Sequence, residues 1–521
     1  MKCIRYVFGI LVLLASALAV NASNILPYRH IIDRPLDPDS ADADMHRHKA
    51  FWRAGAEVVG FNIGLWAFDR YVLDGHYARI SWSTIKENFR HGFEWDNDHL
   101  HTNMFDHPYN GSIFFNAGRS NGYNFWQSEL FAIGGSAMWE MFMECEYPST
   151  NDIIATPIGG AALGEVLYRT SDLILDDRAT GGERFGREFA SFVVNPMRGI
   201  NRVVTGQAWK RRATSGREFG IPPISVELSL GARYLRLWDN DEGDSFGASA
   251  EINIEYGDRF VPATKAPYDY FSFLMEVQAV GKQPLLGRAE IVGRLLSKEI
   301  FDKKNLKMNV GLYQHFDFFD SDTIRQERST LALAFPCSVP YKLGTPASLG
   351  CGFMAHYVPV PSMSLDAVLH LNGVALAGVL TEYYRKYHRN YSFGSGFSIK
   401  AGVNWALAND RVAVRIANQY YRIYTRKDYS PSSFWIMNLP GQEITVRGNG
   451  FKGPSLSTFN HLEADISYNL FHRLYLTGGM DVYLRTSDYV GLTLSTGGLS
   501  LYNPIVTSKQ LGFHCRFMYK F

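Results

Sequence analysis

The chain has 521 residues, with 52 Lys and Arg against 51 Asp and Glu, so its net charge of +1 gives no global field for nucleic acid or a strongly charged partner. Five cysteines in that length exclude a disulfide scaffold. A length near 500 leaves room for two or three domains.

The first element is a leader. Met-Lys-Cys-Ile-Arg is followed by an apolar run from Tyr6 to Val20 and a small-residue exit at Val20-Asn21-Ala22. That layout predicts a cleaved signal peptide over 1–22 and an envelope destination. Cys3 comes too early to be a lipoprotein acceptor. Residues 23–49 contain the acidic, proline-rich DRPLDPDSADAD and read as a flexible linker.

Residues 50–215 read as helical. AFWRAGAEVVGFNIGLWAFDRYVL at 50–73 carries Gly55, Gly60 and Gly64, which suit close backbone approach. Further helices are expected over Trp126–Cys145 and Ile158–Leu175. Polar residues crowd this half. The string WDNDHLHTNMFDHPYNGS brings His101, Asn103 and His107; GRSNG brings Arg119, Ser120 and Asn121. WEMFMECE sets Glu140 and Glu144 four apart, on one helix face, and Asp152, Glu165, Arg169 and Asp172 follow, the last three on one stripe. Ser149 or Thr150 is placed to cap a helix.

From 216 onward the pattern changes to period 2. In 224–234, Ile224, Val226, Leu228, Leu230, Ala232 and Tyr234 alternate with Ser225, Glu227, Ser229, Gly231 and Arg233, and similar segments recur to the end. Strands of about ten residues with one apolar and one polar face predict an antiparallel transmembrane β-barrel over 216–521. About thirteen strands are counted; since single-chain barrels use even numbers, twelve is preferred and fourteen is the alternative. The ending QLGFHCRFMYKF, with Leu511, Phe513, Cys515, Phe517, Tyr519 and Phe521 on one face, matches a signal for barrel-assembly machinery. Cys337 and Cys351 flank KLGTP and are candidates for a cross-strand disulfide.

The ordered words WDND, HPYxGS, RSNG, WExxxE, PSxNDIIxTPxGG and GExxYRxSD across about 90–175 resemble a family of uncharacterised Gram-negative, Bacteroidota-type envelope proteins carried as a domain of unknown function. The resemblance implies an outer-membrane setting and adds no reaction. Gly118 stands where a second alanine is expected.

Three readings of the polar cluster follow. His101, His107, Glu140 and Glu144 form a candidate divalent-metal set, although the spacing is not HExxH. His101, His107, Ser120 and Glu140 form a candidate hydrolytic site, with no GxSxG around Ser120. Asn103, Arg119, Asn121, Glu144, Asp152, Glu165 and Arg169 are binding candidates, or wiring in which Arg119 and Arg169 neutralise Glu140, Glu144, Glu165 or Asp172. Asp96 and Asp98 are further candidates for calcium. The basic run Lys210-Arg211-Arg212 with Arg217 is a candidate for anionic headgroups. The whole reads as an outer-membrane barrel with a helical plug or periplasmic domain, acting as a non-enzymatic channel or in lipid handling or assembly; a membrane-embedded lipid hydrolase is the alternative. Outer-membrane lipid is the expected partner and no nucleic acid is expected. No cofactor is expected beyond that metal, and the oligomeric state is left open.

Overall fold

The computed structural model describes residues 49–237, 244–260, 266–281, 283–321, 339–381, 390–426, 434–436, 446–448, 455–488, 491–495, 498–502 and 505–521. The expected signal peptide, most of the linker, and Cys337 of the proposed disulfide lie outside the described residues; Cys351 is a free, exposed thiol. The chain divides into two compact units: residues up to Asp96 together with Asp106–Pro223, and Asn97–Phe105 together with Ile224–Phe521.

The first unit holds seven α-helices among the described residues: α1 (Phe51–Tyr71), α2 (Trp82–His91), α3 (His107–Ser120), α4 (Phe125–Met138), α5 (Asp152–Ile174), α6 (Gly181–Val194) and α7 (Pro196–Val204). Helix α5 is its axis, buried along most of its length because α3 meets it without intervening side chains. A Cβ on Gly111 would fall 1.8 Å from the Thr156 carbonyl oxygen, and one on Gly160 2.5 Å from the Gly111 carbonyl carbon. Gly135 makes way for the Phe114 ring and Gly164 for Phe115. Small residues here convert into backbone contact, with dispersion gained over the whole crossing.

The second unit is a closed barrel of twelve antiparallel strands, the preferred count. They are β1 (Ile224–Leu237), β2 (Ser245–Tyr256), β3 (Phe271–Val280), β4 (Leu286–Lys303), β5 (Leu306–Asp320), β6 (Lys342–Val360), β7 (Met363–Leu380), β8 (Tyr391–Leu407), β9 (Val412–Thr425), β10 (Leu456–Phe471), β11 (Leu474–Asp488) and β12 (Ile505–Lys520). Each pairs with its sequence neighbours, and β1 closes on β12 in the register Ala232 to Cys515. Closure leaves no unpaired strand edge, the condition for a sheet to cross a bilayer. Connections at one end are short, at 304–305, 361–362, 408–411 and 472–473. Period 2 holds across the wall: Phe513 and Phe517 are exposed outside, while His514 and Arg516 are buried inside.

The strands themselves fill the lumen. Arg288 on β4 donates to Glu463 on β10 at 3.0 Å. Those strands stand six places apart in a ring of twelve, so the pair crosses the full bore. Gln419 on β9 reaches Glu290 on β4 at 2.7 Å, and Arg516 on β12 reaches Glu276 on β3 at 2.7 Å. Beside this layer Phe319, Tyr341, Tyr421, Phe459 and Tyr483 form an aromatic one, with Phe319 on β5 and Phe459 on β10 5.3 Å apart between ring centroids.

One piece of the amino-terminal half belongs to the barrel. Asn97–Phe105 lies on the outer wall of β5–β8, because the residues it touches alternate with the lumen-facing Asp317, Phe319, Leu343, Ala377 and Val379. His101 and Phe105 pack on Phe318, Phe105 also on Phe316, and Met104 fills the space above Gly344 and Gly378. Asn103 donates to the Tyr391 hydroxyl at 2.6 Å.

Arg288→Ala would leave Glu463 with Arg415, at 3.8 Å, as its remaining arginine partner among the described residues. Breaking a buried pair costs about 3–5 kcal/mol, and the remaining arginine puts the expected loss near the lower end. Denaturant unfolding of the barrel in detergent, read by heat-modifiable gel mobility, measures it; an unchanged midpoint would show that the cross-lumen pair carries no stability.

Candidate functional site

Two polar clusters form inside the helical unit, and they differ in how charge is balanced. In the first, every carboxylate meets an arginine. Glu165 accepts from Arg169 Nε at 2.8 Å and from Arg119 Nη2 at 3.2 Å, and Asp172 accepts from Arg198 at 2.5 Å and from the backbone N–H groups of Glu218 and Phe219. Arg119 and Arg198 also lie over the Tyr168 ring, at 4.7 and 4.3 Å from its centroid. Farther along, Arg202 pairs with Asp177 at 2.6 Å and Glu188 at 2.7 Å. Arg119 and Arg169 thus serve Glu165; the sequence-based alternatives Glu140, Glu144 and Asp172 are not their partners. Burial with bidentate and stacked arginine is wiring, and its members hold α3, α5 and α7 in place.

The second cluster has no arginine or lysine in its ion pairs among the described residues. Its members are Glu140, Glu144, Asp152 and His107, with Asp96 acting on Glu144 and Asp152 through space. Local backbone explains how they meet. After α4 the chain widens into a π-helical turn at Trp139–Met143 and leaves it in extended conformation at Glu144, so the two glutamates do not share a regular helix face. Widened turns of this kind concentrate at functional positions. Asn88 donates to the carbonyls of Glu140 and Glu144 at 3.4 and 3.1 Å, closing that turn. The segment around Glu94 pairs in parallel with Ser149, and Asp96 N–H donates to Asn151 at 3.0 Å.

The Ser149 N–H donates to Glu140 at 2.6 Å, Asn151 donates to Asp152 at 2.7 Å, and Ser149 Oγ accepts the Asp152 N–H at 3.4 Å; the N-cap itself is Asn151, without a side-chain cap, rather than the expected Ser149 or Thr150. His107, the first residue of α3, places Nε2 3.7 Å from Asp152. Burial pushes the Glu140 carboxyl up to about 8, helped by Asp152 and opposed by the Ser149 N–H and by His107. Asp152 is pushed up to about 6 by burial, with His107 opposing and Asp96 adding to the rise. Burial, then Glu140, raises Glu144 well above the carboxylate range. Three acids with one imidazole must hold protons or a cation, since uncompensated buried charge costs several kcal/mol. Glu140, Glu144, Asp152 and His107 offer oxygen donors and one nitrogen, but among the described residues they are not a group whose donor atoms converge within 4.8 Å, as an ion would need.

The other candidates fall elsewhere. His101 and Asn103 belong to the strap on the barrel wall, so the His101–His107–Glu140–Glu144 set is not assembled within either unit. Asp98 belongs to the barrel unit and Asp96 to the helical one. Ser120 is buried, and its hydroxyl has no hydrogen-bond partner among the described residues. His107 and Ser120 terminate opposite ends of α3, about 20 Å apart at 1.5 Å per residue, so they form no nucleophile–base pair. Asn121 donates to Glu57 at 2.7 Å, and Asn201 donates to the same carboxylate, a structural bridge from α1 to α7. Arg198 was missed by sequence reasoning: it lies outside the dense motif string, and its amphipathic turn gives no sign that the arginine faces inward.

Residues 92–197 match the model of a family described as a domain of unknown function, DUF3943. That span contains the second cluster whole, and Arg119, Glu165, Arg169 and Asp172 of the first; Arg198 and Arg202 lie just beyond it. No curated protein matches the chain. Among solved structures, the chain is similar to the NanC porin (8% identity, 56% of this chain and 98% of that one, TM-score 0.23), to the Pseudomonas putida toluene transporter TodX (9%, 57% and 89%, 0.20), and to the transport unit of the autotransporter AIDA-I from Escherichia coli (9%, 57% and 90%, 0.24).

A carboxyl with a raised folded-state pKa stabilises the fold when protonated, so its contribution is full below the unfolded value near 4.5 and is lost as pH rises through about 8 for Glu140. Thermal melts of the full chain in detergent should therefore show the helical transition weakening from pH 5 to pH 9. Glu140→Gln should flatten that slope and stabilise the unit at pH 8 by on the order of a few kcal/mol. A pH-independent wild type would remove this account of the cluster.

Proposed function

We propose that this chain is an outer-membrane barrel protein of a Gram-negative envelope, exported by its amino-terminal signal and inserted by barrel-assembly machinery. Its barrel is a closed anchor, and its helical unit does the work, on envelope lipid or on envelope assembly. The single observation that carries the reading is the Arg288–Glu463 pair across the bore, at 3.0 Å, within a layer of linked side chains. An ion-conducting barrel needs a continuous wet lumen, and here polar and aromatic layers from opposite walls meet. The apolar outer face, with Leu230, Leu371, Ile399, Ile416, Ile466 and Phe517 exposed, suits acyl chains and supports a membrane setting.

A second reading is favoured by the arginine-free cluster. His107 beside Asp152, with protonated Glu140 close by, supplies a base and an acid for hydrolysis of a lipid ester by water, with or without a cation. It uses neither Ser120 nor His101. Metal analysis of protein purified from native membranes, beside Asp152→Asn, tests its metal-dependent form; about one equivalent of a divalent ion in the wild type and none in the variant is the result expected of it, and equal content in both would end it.

For the anchor reading, the full chain in a planar bilayer should give no stable conductance steps, whereas Arg288→Ala combined with Phe319→Ala and Phe459→Ala should admit ions by removing side chains from both layers. Stable single-channel steps from the wild type would overturn the anchor and restore a channel.

A further inference from the structure

Helices α6 and α7 carry an apolar face that nothing among the described residues of the helical unit covers. On α6 the outward residues are Phe185, Phe189 and Phe192, at i, i+4 and i+7, with Phe185 71% exposed and stacked on Phe189 at 6.1 Å. On α7 they are Ile200, Val203 and Val204. The opposite faces bury Ala190, Val194 and Met197 and also turn Arg187, Arg198 and Arg202 inward to carboxylates and carbonyls. A water-facing helix pair would instead keep such charges outside and its large hydrophobes inside.

Two contacts join these residues into one surface. A Cβ on Gly199 would lie 2.6–2.8 Å from Phe192, so the helices touch where their apolar faces meet. Arg184 donates to the carbonyls of Ala208 at 3.0 Å and Gln207 at 2.7 Å, which fixes Trp209, 75% exposed, beside the turn of α6 that bears Phe185. Lys210 and Arg211 follow at the edge, both exposed; Glu183 is the exposed carboxylate on that rim.

We propose that the α6–α7 face, with Trp209, Lys210 and Arg211, docks into the interface of an anionic phospholipid bilayer. Phenylalanine and branched side chains enter the acyl boundary, the Trp209 indole sits at the headgroup level, and Lys210 and Arg211 meet phosphate oxygens. The charge placement selects lipid over a second protein: cations stand at the border of the apolar face, where phosphates lie. The inward arginines leave the face itself uncharged.

The test uses the full chain with its native cysteines replaced by serine and Phe185→Cys labelled with the polarity-sensitive dye NBD. It is reconstituted in vesicles of phosphatidylethanolamine with phosphatidylglycerol. Expected are blue-shifted emission, stronger quenching by shallow acyl-chain nitroxides than by aqueous iodide, and a loss of at least half of that quenching in Lys210→Glu, Arg211→Glu. Water-like emission with free iodide access would overturn the proposal. So would a dye shielded from both quenchers, which would mean that protein covers the face. Heat-modifiable mobility of the same samples reads barrel insertion separately, so failure of the anchor reading is distinguishable from failure of this one.

Discussion

A carboxylate removed from water needs a cation, a proton or an array of N–H donors, and most of this protein's interior is organised by which of these it receives. In the barrel the answer is arginine and lysine projecting from the wall, and because the bore is narrow the partners come from distant strands: Arg288 finds Glu463 across the ring, Arg516 finds Glu276 and Glu251. The pairs that neutralise the lumen also fill it. Charge compensation and closure are thus one requirement, since a wider bore would hydrate the same groups separately.

In the helical unit the same requirement separates scaffold from candidate chemistry. Glu165 and Asp172 on α5 are each held by arginine. Among the described residues, Glu140, Glu144 and Asp152, near the amino-terminal end of that helix, form no ion pair with arginine or lysine: Asp152 meets His107 and Asn151, and Glu140 accepts the Ser149 N–H. Stability alone would be better served by an arginine there too. A cluster left to share protons is poised to exchange them, or to trade them for a cation, near neutral pH.

The barrel was legible in the sequence because period 2 and alternating connection lengths survive any detail of packing; the strand count needed only the even-number rule. Helices over 51–71 and 125–138 were legible from apolar runs. Helix α3 was not: Pro108 and two glycines weaken a helical pattern, although proline in a first turn loses no hydrogen bond and Gly111 is required by the α3–α5 crossing. Helix α5 begins at Asp152 and runs through Pro157, six residues before the expected start at Ile158. For the site, residue types identified Glu140, Glu144, Asp152 and His107 as polar members of one motif string. Sequence proximity also grouped His101 and Ser120 with them, and only geometry separates these: one lies on a barrel wall, the other a helix length away.

The strap Asn97–Phe105 gives the chain an unusual contact order. Asn103 bonds Tyr391 across 288 residues, and Met104 covers glycines on β6 and β7 that are synthesised long after it. The outer wall there is complete only with a segment of the amino-terminal half seated on it, a contact whose long sequence separation carries a large loop-closure cost. A truncation that starts at the first strand would expose Gly344, Gly378, Phe316 and Phe318 together, and the isolated barrel would carry an open apolar seam where the native one is sealed.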